Sequence, residues 1–164
     1  MKKALIITLL MLLWIGSCGV DARNDTRAVK DTIFKYNQLL AQGYAKMDVT
    51  PLQEVATQEQ AKKVYNHMAA LGEGKIRMEA QLMDIDFLDV QFSEKNVAQV
   101  ETRETWNYTH ANTDTKMPGQ TIVEGLIYTL SYQLVMGHGQ WFVSSVRVLQ
   151  EDNVENFSKG GRRD

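Results

Sequence analysis

The sequence predicts an α+β domain in which N-terminal helices pack on a strongly curved, four-stranded antiparallel meander sheet. Three observations carry that expectation. Apolar residues recur every three or four positions as far as Gly74 and every second position beyond it, so helices come first and strands follow. The links between the later segments are of turn length, too short for the crossovers that parallel strands need. The apolar parity of the first strand changes twice, and each change marks an extra residue of the kind that bends a strand.

The chain opens with Lys2-Lys3, an apolar run from Ala4 to Ile15, and then Gly16-Ser17-Cys18. A basic pair, an apolar core and small residues are the anatomy of a secretory signal peptide. As a helix the run is about 18 Å long, too short for a hydrocarbon core of about 30 Å. Ile15-Gly16-Ser17-Cys18 resembles the bacterial lipobox. The resemblance implies diacylglyceryl transfer to Cys18 and cleavage before it, leaving an acylated, palmitate-bearing residue at the mature N-terminus. At about 0.8 kcal/mol per buried methylene, two or three such chains anchor a protein stably in a membrane. An ordinary cleaved signal with an incidental cysteine is the alternative. Gly19, not aspartate, follows Cys18; in Gram-negative lipoproteins this implies the outer membrane, facing the periplasm. The expected address is the bacterial cell envelope.

Residues 1–17 are therefore expected as a lipoprotein signal peptide, 18–24 as lipidated cysteine and short polar tether, 25–150 as the folded domain, and 151–164 as a polar, disordered tail. Removing residues 1–17 from 164 leaves 147, one ordinary domain. A chain of that size buries roughly 68–70% of its unfolded surface. The remainder carries 16 basic and 20 acidic residues, a mild acidity that argues against nucleic acid as a partner. Cys18 is the only cysteine, so no intrachain disulfide is expected.

From Asp25 to Lys46 the spacing of Val29, Ile33, Tyr36, Leu40, Tyr44 and Met47 predicts a helix with one apolar face. Thr50-Pro51-Leu52-Gln53 reads as a capped second, short helix. Thr57 to Gln60 repeats the capping-box spacing, and Ala61, Val64, Met68 and Leu71 follow on one face, with Gly72 and Gly74 expected to stop that third helix. Four strands are expected over 76–92, 97–110, 121–136 and 141–149. Ser93 to Asn96 and Gly137 to Gly139 are the expected tight turns, and Ala111 to Gly119 a longer connection. A turn centred on His138 would pair Leu134 with Phe142, Leu130 with Val146 and Tyr128 with Val148. The parity switches place bulges near 82–83 and 87–88, with a straight strand buried on both faces as the competing explanation. A bent sheet with helices across its concave side makes a cone open at one end.

Three helices before a long curved meander are similar to the NTF2-like (cystatin-like) superfamily. The ending Glu124-Gly125-Leu126-Ile127-Tyr128-Thr129-Leu130-Ser131-Tyr132, then Gly139-Gln140-Trp141-Phe142-Val143-Ser144-Ser145-Val146, resembles the long strand, glycine turn, tryptophan and final strand common in these domains. The likeness covers residues 25–150 in layout and about the last thirty of them in sequence. The short hairpin that usually separates the second and third helices is missing, as in the reduced forms of plastid-division and mitochondrial-import NTF2-like domains. Those forms are implied to be binding modules, not enzymes, although fold alone does not set function.

Glu104 and Glu124 share the inward parity with Trp106, Tyr108 and Leu126. A turn near residue 115 would put Glu124 almost opposite Trp106, with Glu104 one pair further along. Carboxylates on an apolar concave face suit general acid or base work, with Tyr128 or His110 as partner groups. The alternative is that both glutamates sit on a solvated rim or pair with Arg77 or Arg103. Trp106, Tyr108 and His110 form an aromatic row that reads as pocket lining, with Leu126, Tyr128, Tyr36 and Tyr44, or as core; His110, at a strand end, is expected exposed. Asp84, Asp86 and Asp89 fail the EF-hand pattern and read as a solvated face. His67, His110 and His138 lack ligand spacing, so no metal and no cofactor is expected. Val123, Ile127 and Val135, with Trp141 beside them, read as an outward patch for a dimer or another envelope protein. The sequence thus favours a membrane-anchored, non-catalytic module for a small apolar ligand or an envelope protein; the alternative is a small hydrolase or isomerase using Glu104 or Glu124.

Overall fold

The computed structural model describes residues 18–112 and 120–153, with backbone alone for 18–24, 120–121 and 153. The expected signal peptide, most of the Ala111–Gly119 connection and the tail beyond 153 lie outside the described residues. The elements are α1 (Cys18–Lys46), a 3-10 turn (Thr50–Glu54), α2 (Gln58–Glu73), β1 (Ile76–Glu94), β2 (Val97–Asn112), β3 (Gln120–Gly137) and β4 (Gln140–Asn153). The strands form one antiparallel sheet in the order β1-β2-β3-β4, with the helices across its concave face. No described helix is long and apolar enough to cross a membrane.

Several sequence expectations shift by local physics. α1 is described from Cys18 onward, so the backbone of residues 18–24, expected as a polar tether, is helical. The second helix is only a 3-10 turn: Pro51 opens it, but Val49 and not Thr50 occupies the cap position. Asp48 does the capping instead, its Oδ1 accepting from the Thr50 amide at 2.9 Å. That contact holds the exposed carboxyl below its ordinary range. Thr57 caps α2 as expected, accepting from the Gln60 amide at 3.3 Å. The reciprocal half of the box is absent, because Gln60 Nε2 donates to Tyr36 Oη at 2.8 Å. Met47, placed in the α1 stripe by spacing, has φ 55 at the helix end and is exposed. The left-handed residue after α2 is Lys75, φ 56, not a glycine.

β1 bulges between Leu82 and Asp84 and between Phe87 and Asp89, as the parity switches require, and again between Phe92 and Glu94. Met83 and Leu88, the extra residues, are exposed, and Asp84, Asp86 and Asp89 lie on the exposed outer side. Bulges add bend and twist, which curls the sheet until Phe92 meets Trp141 across the small Ala98, ring centroids 5.9 Å apart. The expected β3–β4 register fails. The turn has two residues, not three, and bulges in β4 advance the pairing, so Leu134 faces Val143, Leu130 faces Val148 and Tyr128 faces Glu151. β4 also runs to Asn153, three residues into the expected tail.

The core lies between the helices and the concave face. Val29, Ile33 and Leu52 are sealed against Val100, Leu134 and Val143. The linker between the helices is stitched to β4: Thr57 N donates to Val143 O at 2.9 Å, and Val143 N donates to Val55 O at 2.8 Å. Trp141 belongs to this core, not to an outer patch. Ile127 and Val135 are half-buried, but Val123 pairs with Tyr108 and joins the concave side.

Candidate functional site

Beneath the C-terminal half of α1, the sheet leaves a cleft of two adjoining lobes that share Leu40, Tyr108 and Tyr128. The first, about 280 Å³, is walled by Tyr36, Asn37, Glu104, Trp106, Leu130 and Tyr132, with Glu151 at one side. The second, about 270 Å³, is walled by Tyr44, His67, Met78, His110, Val123 and Leu126. The alternation of β2 explains the floor: Trp106, Tyr108 and His110 point the same way and stack in sequence, 6.0 Å then 6.4 Å between centroids and within 20° of parallel. Tyr128, from β3, meets Tyr108 edge-on at 6.5 Å.

Glu104 is wholly buried in the first lobe and accepts three hydrogen bonds. Thr102 Oγ1 donates to Oε1 at 2.9 Å, Tyr132 Oη to the same oxygen at 2.8 Å, and Trp106 Nε1 to Oε2 at 2.9 Å. Tyr132 Oη also lies 3.1 Å from Asn37 Oδ1. One hydroxyl proton cannot serve both acceptors, and the charged oxygen is the nearer. Asn37 Nδ2, buried, has no hydrogen-bond partner among the described residues. Turning the amide so that Nδ2 faces Tyr132 gives a relay from Asn37 to Tyr132 to Glu104, with each donor used once. The carboxylate is thus a buried anchor with most of its acceptor capacity taken up, not a free base.

Burial dominates the tyrosines around it. Desolvation pushes Tyr36 up to about 12, with the charge of Glu104 adding to it and the Gln60 hydrogen bond opposing it. Tyr44 is pushed to about 12 by burial and by Tyr36. Tyr132 rises well above the ordinary tyrosine range, through burial first and Glu104 second. Tyr108 rises as well, mainly by burial, and Tyr128 by burial and then Glu151. All five hydroxyls therefore stay protonated at neutral pH.

No family model matches this sequence, and no curated protein matches it either. Solved structures do. The intermembrane space region of the chloroplast protein ARC6 superimposes with a TM-score of 0.64 at 14% identity, over 75% of this chain and 95% of that one. A variant of Rv3472, a protein of unknown function from Mycobacterium tuberculosis, gives 0.53 at 15% identity, over 87% and 82%. A protein from Catenulispora acidiphila gives 0.51 at 10%, over 83% and 98%. The fold is NTF2-like. At these identities the likeness concerns architecture alone.

Within the NTF2-like cone, the expected lining residues do come together: Trp106, Tyr108, Tyr128 and Tyr36 around the first lobe, Leu126 and Tyr44 around the second. The two glutamates do not. Trp106 pairs with Leu126, and Glu104 pairs with Tyr128. Glu124 lies in a bulge opposite Asn107 and is exposed. Gly125 makes that bulge, with φ 65 and its amide donating to Asn107 Oδ1 at 2.8 Å. Glu104 neither reaches a solvated rim nor pairs with Arg77 or Arg103. His110 is half-buried in the second lobe, not free at a strand end, because β2 continues to Asn112. The side chain of Cys18 is outside the described residues. Asn37 and Thr102 escaped sequence reasoning, and His67, weighed there only as a metal ligand, was not placed in the cleft. Two successive inward positions of β2, Thr102 and Glu104, are polar among apolar neighbours, and that pair was the available signal for a buried network.

Proposed function

We propose that this chain is a lipid-anchored envelope lipoprotein whose domain binds a small, largely apolar ligand without catalysis. One observation carries the reading: an aromatic-floored cleft, apolar in most of its lining, whose buried carboxylate is tied up by three donors. Binding clefts have this composition, an apolar wall with a few placed polar groups. A general acid or base needs a group that can reach a reacting atom, and Glu104 is committed to Thr102, Trp106 and Tyr132. The anchor part of the reading is supported by the Ile15-Gly16-Ser17-Cys18 segment behind a signal-like run. In a Gram-negative host the domain would face the periplasm from the outer membrane.

The test uses the full chain in lipid nanodiscs with the neutral fluorophore N-phenylnaphthylamine, empty nanodiscs being the reference for partitioning. Saturable energy transfer from the protein's tryptophans is expected, and Tyr128→Ala should weaken binding about tenfold, the scale of one truncated aromatic contact. Absence of saturable binding in the wild type sinks the ligand-binding reading. An enzymatic turnover abolished by Glu104→Gln in a folded protein would establish the hydrolase or isomerase alternative instead.

A further inference from the structure

The two lobes differ in charge chemistry. Among the described residues, the carboxylates of the cleft, Glu104 and Glu151, line the first lobe, and none lines the second. The polar groups of the second lobe are imidazoles and phenols. Tyr44 Oη sits 2.6 Å from His67 Nδ1, and the rings meet edge-on at 5.6 Å. With Tyr44 donating to Nδ1, the ring hydrogen of His67 sits on Nε2, which is then an N–H donor. His110 is held in plane by its stack on Tyr108. Between the lobes, Leu40, Tyr108 and Tyr128 form a shared apolar saddle.

We infer that the cleft takes an elongated amphiphile, its apolar body across the Tyr108–Tyr128 saddle and its anionic end in the second lobe against His67 and His110. This rests on the binding reading above. An anion in the first lobe would lie beside two carboxylates; in the second, among the described residues, it meets imidazole and phenol groups that can donate to it, and charge-assisted hydrogen bonds are the stronger kind. A cationic ligand would take the opposite orientation, and an uncharged one would be indifferent to both histidines.

The experiment follows the imidazole NMR signals of the full chain in nanodiscs while decanoate, decanol or decylammonium is added. His138, at the β3–β4 turn tip, is the internal control, since it is exposed and lines neither lobe. Decanoate is expected to shift His67 and His110 but not His138, and to bind about five- to tenfold tighter than decanol. His67→Gln and His110→Gln should each lower decanoate affinity by about fivefold and narrow the difference between decanoate and decanol. Equal affinity for decanoate and decanol, preference for decylammonium, or decanoate binding that ignores both variants overturns the anionic-end assignment while leaving the cleft as a binding site. Binding of none of the three probes, together with none of the neutral fluorophore, removes the binding reading and this assignment with it.

Discussion

Glu104 shows how a single buried charge can be tolerated in an apolar layer. An isolated carboxylate there would be very costly, but three donors from β2 and β3 surround this one. Because two of them are hydroxyls, which can turn from donor to acceptor, Glu104→Gln can be accommodated: Trp106 still donates to the amide oxygen, and Thr102 and Tyr132 accept from the amide nitrogen. The expected cost is about 1 kcal/mol. Glu104→Leu leaves the Trp106 N–H and both hydroxyls, of Thr102 and Tyr132, without their charged acceptor and should cost about 3 kcal/mol or more. Urea midpoints with unchanged m-values measure both, and equal costs would contradict the network. The tyrosines set the alkaline limit. Folded Tyr36, at about 12 against the ordinary 10.0, is protonated where the unfolded residue ionises. Its stabilisation is complete below pH 10 and is lost as the pH rises from 10 through 12. In that window the fall is about 1.4 kcal/mol per pH unit for each such tyrosine. Tyr36→Phe should flatten the decline of urea midpoint with pH by that slope, whatever it does to stability at pH 7.

At the scale of elements, periodicity carried most of the fold. The helix–strand change at Gly74 and both bulges between 82 and 88 follow from which side chains must face inward, and burial enforces that pattern strongly. Pair register was less legible, because it depends on turn length and on bulges that leave no clean parity signal in β4. The β3–β4 turn shows the reason: His138 and Gly139 have φ 50 and 80, so a two-residue turn with both residues left-handed sets the pairing from Gly137 and Gln140. Gly139 has open space around the position of a Cβ, so any cost of a side chain there is conformational. Gly139→Ala is expected to destabilise by about 1 kcal/mol, and His138→Asn to stabilise by a few tenths, read as shifts in thermal midpoint. A neutral Gly139→Ala would mean that the turn relaxes to another type.

For the whole molecule, the helical backbone of residues 18–24 bears on the geometry of the proposed anchor. A flexible tether of seven residues would leave the domain free to roll on the membrane. A continuous helix instead sets the distance: along α1, Tyr36 is about 27 Å and Tyr44 about 39 Å from Cys18, at about 1.5 Å per residue. Both lobes lie toward the far end of that rod, so with the proposed anchor at Cys18 the proposed ligand would be met at a fixed stand-off along α1. If the anchor is as proposed, cells fed an alkyne-labelled palmitate should label the wild type, whereas Cys18→Ser should lose both the label and the outer-membrane fraction. Labelling that persists in Cys18→Ser would remove the anchor from the proposal.

What the sequence determined by itself is local and redundant: the order of elements, the faces of α1 and α2, the bends of β1 and the aromatic row of β2. Each is written in many residues at a fixed period, so one exception such as Met47 does not obscure it. Only the tertiary structure decided which polar groups are buried and with whom. Tyr132 meets Asn37 across 95 positions of sequence and Glu104 across 28, and Tyr44 meets His67 across 23. Such partners share no period. They are brought together by the curl of the sheet beneath α1, and the same curl separates Glu104, sealed in the first lobe, from Glu124, turned out to solvent by a bulge.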